Sequence, residues 1–281
     1  LADPGLPAIA LLTGPSGRSR LLHEILAAGK DVMTTKPFET DAGAARRALE
    51  EARRLGRVLH LNSPAAVLPA DLRLIREWEK QYDLGRPAYF YGSVHADYTE
   101  AADGSWYDDP ARCPAPPIFR LGIYLINDVQ TLWGAVDDVR LLETRLRTGR
   151  PTADNAVVAL RMGNGAVGSI AASFCVRDGD HYRNSLQLSY ERGTIYRNLG
   201  PERAEDRSKS QLTLVQECGG SRRVAAAASV RSDSHKYDWA SFAEAIARRA
   251  APDPEYIDRV VNGVEIVNRI AEEERRLPCF S

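Results

Sequence analysis

Between Ala8 and Leu61 the chain alternates strand and helix signals, and that order restricts the fold more than any other feature. The apolar run Ala8-Ile9-Ala10-Leu11-Leu12-Thr13 stops at Gly14-Pro15-Ser16-Gly17, a loop signal. Leu21, Leu22, Ile25 and Leu26 then mark one face of a helix that Gly29 ends. Asp31-Val32-Met33-Thr34 reads as a short strand broken at Lys36-Pro37. Thr40 is expected to cap a second helix carrying Ala45, Ala48, Leu49, Ala52 and Leu55, with Gly56 at its end. Arg57 to Leu61 supplies a further strand, and Pro69 opens another helix. Strand–helix–strand–helix–strand at this spacing implies right-handed crossovers and a parallel sheet. A doubly wound domain is normally two such halves, and residues 1–75 supply the second half alone. The expectation is that about two ~30-residue βα units precede Leu1.

From Arg86 onward the pattern changes. Alternating stretches run over Ala88 to Tyr98, Val139 to Arg147, Ala156 to Met162, Ala166 to Val176, Ser185 to Tyr190, Thr194 to Asn198 and Leu212 to Gln216. Tight links such as Gly163-Asn164-Gly165 and Glu191-Arg192-Gly193 are hairpin chemistry. Helices are expected over Pro117 to Trp133, Tyr237 to Arg249 and Pro254 to Arg275, and Ala225 to Ala228 is locally low in complexity. Runs of strands with segregated helices predict an α+β domain over residues 76–281, built on an open, predominantly antiparallel sheet. Ala166 to Val176 contains no charged residue. Both faces of that strand are therefore expected to be shielded, one by helices and the other by a second copy, in a homodimer or homotetramer. A competing cover is the segment from Leu199 to Arg223.

Composition excludes several classes. Net charge is −1 with both signs spread along the 281 residues, so the basic stripe that a nucleic-acid backbone needs is missing. Cys113, Cys175, Cys218 and Cys279 lie far apart without a CxxC, which offers no metal site and suits a reducing, cytoplasmic setting. No apolar stretch approaches the ~20 residues of a membrane helix, and no signal peptide is legible.

Four places carry candidate chemistry. Thr34-Thr35-Lys36-Pro37 follows a parallel strand, where ligands of open sheets bind, although a surface lysine before a turn proline is the commoner case. On the helix after Pro117, Arg120, Tyr124, Asn127, Asp128 and Thr131 fall on one polar stripe beside Leu121, Leu125, Val129 and Leu132. An ordinary amphipathic helix explains that stripe equally well. Trp106-Tyr107-Asp108-Asp109-Pro110 is an aromatic–acidic loop ahead of it, and Asp178 to Arg183, with His181, is a polar loop. The other histidines show no metal spacing, and no nucleophile elbow, P-loop or carboxylate pair stands out.

Taken in order, these pieces resemble the Gfo/Idh/MocA family of oxidoreductases, which includes glucose–fructose oxidoreductase and inositol dehydrogenase. Ala28-Gly29-Lys30-Asp31-Val32 matches its A-G-K-x-V segment, and Thr35-Lys36-Pro37 its E-K-P signature. Trp106 to Pro110 matches W-x-x-D-P, and Arg120-Leu121-Gly122-Ile123-Tyr124 matches D-x-G-x-H/Y. Asp154-Asn155-Ala156 opens the D-N-A strand pair, and Asp238 to Ile246 matches the closing D-F-x-x-A-I helix. The resemblance implies a Rossmann domain, a sheet domain and an active site between them. It implies that Lys36 contacts the nicotinamide ribose and the substrate hydroxyl, with Tyr124 the acid–base residue. Cofactor contacts are expected at Thr13, Gly14, Pro15, Thr35, Lys36, Asn62 and Trp106, and substrate contacts at Arg120, Asn127, Asp128 and His181.

Three departures qualify the likeness. Thr35 replaces the family glutamate, Arg120 replaces the helix aspartate, and the glycine-rich phosphate fingerprint is absent from the sequence. Without that fingerprint the choice between NAD and NADP is open, and the chain alone is expected to hold a dinucleotide weakly. Arg120 points instead to a carboxylated sugar. The leading reading is hydride transfer between NAD(P) and a secondary alcohol or ketone of a sugar, polyol or sugar acid. The alternatives are a redox-assisted glycosidase of the same family and a dinucleotide- or sugar-binding protein without turnover.

Overall fold

The computed structural model describes residues 1–98, 100–178, 182–199, 208–231 and 236–277. The chain divides into two compact units, Leu1–Val67 with His235–Arg269, and Leu68–Ser234 with Ile270–Ser281.

The first unit is built on a three-stranded parallel sheet of β1 (Ala8–Leu11), β2 (Asp31–Thr34) and β3 (Leu59–Leu61), with β2 in the middle. Helices α1 (Arg18–Ala27) and α2 (Ala42–Arg54) make the crossovers. Alternation along the strands sends Leu11, Val32, Leu59 and Leu61 into one apolar cluster with Leu22, Ile25 and Leu26 of α1 and Ala45, Ala48 and Leu49 of α2. Met33 and Val58 belong to a separate cluster with Phe242 of α5 (Trp239–Arg248). Asp41, rather than Thr40, caps α2, accepting a 2.6 Å hydrogen bond from the Ala44 amide. The third strand is shorter than its sequence signal and starts at Leu59.

The return of 236–269 to this unit differs from a division at residue 75. Tyr256, Ile257, Val260, Val261 and Val264 of α6 (Pro254–Arg276) complete the α1/α2 cluster, and the buried Tyr256 hydroxyl accepts from the Leu61 amide at 3.1 Å. A sheet this thin leaves more apolar surface than two helices cover, and the distant C-terminal helix supplies the remainder.

The second unit carries eight strands in the order β11-β10-β9-β8-β4-β7-β6-β5. They are β4 (Pro87–Ala96), β5 (Val136–Thr144), β6 (Asn155–Met162), β7 (Val167–Ser173), β8 (Tyr182–Tyr190), β9 (Gly193–Arg197), β10 (Lys209–Cys218) and β11 (Ser221–Arg231). Neighbours are antiparallel except β4 and β7, which run parallel at the centre. A side chain at Gly168 would meet the Phe90 carbonyl oxygen at 2.3 Å, so this close pairing requires glycine. The alanine-rich segment is β11, an edge strand exposed along its first half, with Ala226, Ala228 and Val230 half-buried on one face; its run of alanines hides the two-residue period. The described part of the Leu199–Arg223 segment lies in the sheet as β10 and the start of β11.

The helix expected from Pro117 opens as a π-helical turn, Ile118–Gly122, and continues as α4 (Ile123–Trp133). Gly92 of β4 lets the Leu125 side chain approach the sheet, since a Cβ there would lie 3.2 Å from it. A buried ion cluster fixes α4 further. Arg197 at the end of β9 donates to Asp128 of α4 at 2.7 Å and to Asp71 of α3 (Ala70–Gln81) at 3.1 Å. The arginine and Asp71 side chains are 1% exposed, so the charges depend on one another. Removing one partner strands a buried charge. Arg197→Met is expected to lower the unfolding free energy of the second unit by ~3–5 kcal/mol in urea titration, whereas a loss under ~1 kcal/mol would show that the cluster is dispensable.

Candidate functional site

In the first unit the chemistry collects at the carboxyl ends of β1 and β2. Thr13 and Gly14 follow β1, and Thr35 to Phe38 follow β2. Thr13 is exposed, Pro15 buried, and Lys36 half-buried. The loop around Lys36 is tied down from several sides. The Lys36 amide donates to Asn62 Oδ1 at 3.1 Å, and the Thr35 hydroxyl lies 3.4 Å from the same oxygen. Tyr237 donates its hydroxyl to Thr35 Oγ1 at 2.8 Å. Asn62 is buried, so its place is beneath the loop as a support.

Two residues that the sequence reading passed over complete the arrangement. Arg18, 1% exposed, donates from Nη1 to the carbonyls of Thr35 and Pro37 at 2.6 Å and of Phe38 at 3.0 Å, and from Nη2 to the carbonyl of Thr13. Burial brings its guanidinium down to about 10, and the Glu39 carboxylate opposes that shift. Glu39, also 1% exposed, accepts from the Ser19 and Thr40 amides at 2.8 Å and the Gly17 amide at 3.2 Å. Gly17 adopts a left-handed conformation (φ 69°) and has no side chain to cap α1, so a remote glutamate does so. The legible signal was an arginine opening a helix, where the dipole disfavours a cation.

In the second unit the polar stripe is mostly interior. Asn127, Asp128 and Thr131 are 3%, 4% and 8% exposed. Asp128 is committed to Arg197, and Thr131 donates to the Asn127 carbonyl at 2.7 Å. Asp128 is thereby held in the ion cluster, and Asn127 lies in the interior of the unit. From Cys113 to Thr131, only Arg120 and Tyr124 escape burial. His181 lies outside the described residues.

Arg120 is itself engaged. Its guanidinium forms a two-point ion pair with Glu100, at 2.6 and 2.8 Å, and sits 4.1 Å over the Tyr107 ring, 4.9 Å over Tyr98 and 5.0 Å over Phe174. The hydrogen bonds from Arg120 hold the Glu100 carboxyl below the ordinary glutamate range, while burial pushes the Tyr98 and Tyr107 phenols up. Arg150 reinforces the same loop through Asp108 at 2.5 Å and Asp103 at 3.3 Å. Arg120 is therefore neutralised within the protein, contrary to a free cation awaiting an acidic substrate. Trp106 opens a short 3-10 turn, Trp106–Asp108, and packs on Tyr107 and Phe119 with ring centroids 4.1 and 6.2 Å away.

These features can be set beside known proteins. Residues 72–196 match the GFO/IDH/MocA C-terminal domain. Over that stretch the chain is similar to the GFO/IDH/MocA family. No curated protein sequence matches the chain. Among solved structures, a presumed NADPH-dependent oxidoreductase from Desulfitobacterium hafniense aligns with a TM-score of 0.78 at 14% identity, over 98% of this chain and 80% of that one. Levoglucosan dehydrogenase in complex with NADH aligns at 0.72 and 16%, over 98% and 79%. A 3-ketoreductase from Actinomadura kijaniata, in complex with TDP-benzene and NADP, aligns at 0.67 and 16%, over 97% and 78%. Identities this low speak for a shared fold. The matched stretch includes the π-helical turn and α4, on which Tyr124 is half-buried one turn beyond Arg120.

The Glu100 clamp makes a checkable statement about Arg120. Glu100→Gln removes the carboxylate charge that balances the guanidinium, and calorimetric affinity for a small dicarboxylate should rise at least about tenfold. Equal affinities at neutral pH would show that Arg120 is not silenced by this ion pair.

Proposed function

We propose that the protein is an NAD(P)-dependent oxidoreductase that moves hydride between nicotinamide and a secondary alcohol or ketone of a sugar or polyol. The observation that carries this reading is that Tyr124 is only half-buried. Within the otherwise buried stretch from Cys113 to Thr131, Tyr124 and the Glu100-paired Arg120 are the residues that keep part of their surface. A half-buried phenol on an interior helix is suited to exchange a proton with a bound hydroxyl or carbonyl. The crystallised neighbours with NADH or NADP, and the levoglucosan dehydrogenase among them, support the same chemistry.

The strand ends of the first unit fit a dinucleotide. Parallel strands present their carboxyl-end loops to ligands, and here those loops offer an ammonium at Lys36, a hydroxyl at Thr35 and the exposed turn at Thr13. A bound nicotinamide would accept or supply the hydride. In our reading Lys36 donates a hydrogen bond to a ribose hydroxyl of the cofactor, and Tyr124 holds or returns the proton of the substrate oxygen. The Glu100–Arg120 pair lowers the case for a carboxylated substrate and favours a neutral polyol or sugar.

A second copy of the chain is the proposed cover for the open face of the eight-stranded sheet. Register places Tyr89, Val157, Val167 and Leu142 on that face, all 41–72% exposed. Val167→Glu should shift a dimer or tetramer to monomer in light scattering at micromolar concentration. An unchanged mass for an oligomeric wild type would place the interface elsewhere.

Tyr124→Phe and Lys36→Met are expected to lower kcat by at least about a hundredfold while melting temperature holds. They are to be assayed in the 281-residue chain and in any longer form its gene encodes. Near-wild-type turnover in Tyr124→Phe would sink the assignment. Product release without net change in NAD(P)H would indicate a glycosidase, and ligand binding without turnover a binding protein.

A further inference from the structure

Arg18 has a burial and a partner set that the account of turnover does not use. Four backbone carbonyls surround its guanidinium, three of them from the loop after β2 and one from the loop after β1. Two of the four, Thr35 and Pro37, flank Lys36 directly in the chain. Carbonyl acceptors bring no charge of their own, so the buried cation requires a counter-ion, which the equally buried Glu39 supplies in the next residue after Phe38. Glu39 in turn caps the helix on which Arg18 stands. The strand-end loop and the first turn of α1 thus form a closed unit, with a planar five-donor group at its centre.

We propose that Arg18 is the positioning residue for Lys36: it fixes the backbone on both sides of the lysine and thereby sets where the ammonium is presented. The inference rests on the reading of Lys36 as a functional residue. Arginine suits this role because its donors lie in one rigid plane and can meet several carbonyls at once, whereas an ammonium would hold fewer with less directional constraint. Asn62 and Tyr237 restrain the Lys36 amide and the Thr35 hydroxyl, so Arg18 is the member of the set that grips the carbonyl side of the loop.

Two measurements test this without relying on turnover. In the wild-type protein, nitrogen-15 NMR should show the Arg18 Nη protons as separate, slowly exchanging lines, because four carbonyls prevent rotation. A single averaged line would overturn the proposal whatever happens to any variant. In folded Arg18→Gln protein, trace acetylation with acetic anhydride, read by mass spectrometry, should change at Lys36 by at least about fivefold relative to Lys80 and Lys209, and in Arg18→Lys by less. A merely structural arginine would lower the melting temperature and leave the Lys36 ratio unchanged, and that result would also overturn the proposal. If Lys36→Met leaves turnover intact, the functional reading falls while the labelling and NMR results still stand or fail by themselves.

Discussion

A guanidinium enclosed by protein has to meet oxygen atoms on most of its edge, and this chain is organised around that demand. Arg197 meets Asp71 and Asp128, which holds α3 and α4 to the end of β9. Arg120 meets Glu100 under three aromatic rings, which holds the loop leading to Trp106. Arg18 meets four carbonyls and relies on Glu39 for charge balance, which holds the loop bearing Lys36. Each cation constrains the segments it joins far more sharply than apolar contact would, because hydrogen bonds are directional and an unmet buried charge is costly. The candidate chemical groups, Lys36 and Tyr124, stand on segments fixed in this way and are themselves half-buried.

The sequence was informative wherever a local rule decides the structure. Period-two and period-four patterns located nearly every strand and helix, Gly29 and Gly56 take positive φ past helix ends, and the change of pattern near Arg86 separates parallel from antiparallel sheet. It was silent where a partner lies far along the chain. Nothing near Asp128 announces Arg197, 69 residues away, and nothing near Arg120 announces Glu100, so both were open to a substrate role that the structure fills internally. The β11 strand escaped notice because its alanine run gives both faces the same small side chain, although Ala226, Ala228 and Val230 are half-buried on one of them. The C-terminal helices joined the first unit because its narrow sheet needs their apolar faces, a matter of surface area that no single motif encodes.

Function follows the same division. Motif order pointed to the family and to Lys36 and Tyr124, and the matched GFO/IDH/MocA domain covers the helix that carries Tyr124. The structure then narrows the chemistry. With Arg120 paired and Asn127 and Asp128 interior, α4 offers a phenol rather than a charged recognition patch. That favours a substrate recognised by hydroxyls over one recognised by a carboxylate.

The central claim is hydride transfer, and it is tested most directly by isotope. Incubated with NADH or NADPH deuterated at nicotinamide C4 and a panel of keto sugars and keto polyols, the protein should yield an alcohol carrying deuterium at the new carbinol carbon, from one face of the cofactor only. Cofactor binding with no deuterium transferred to any member of the panel, in either the 281-residue chain or a longer form, would contradict the account.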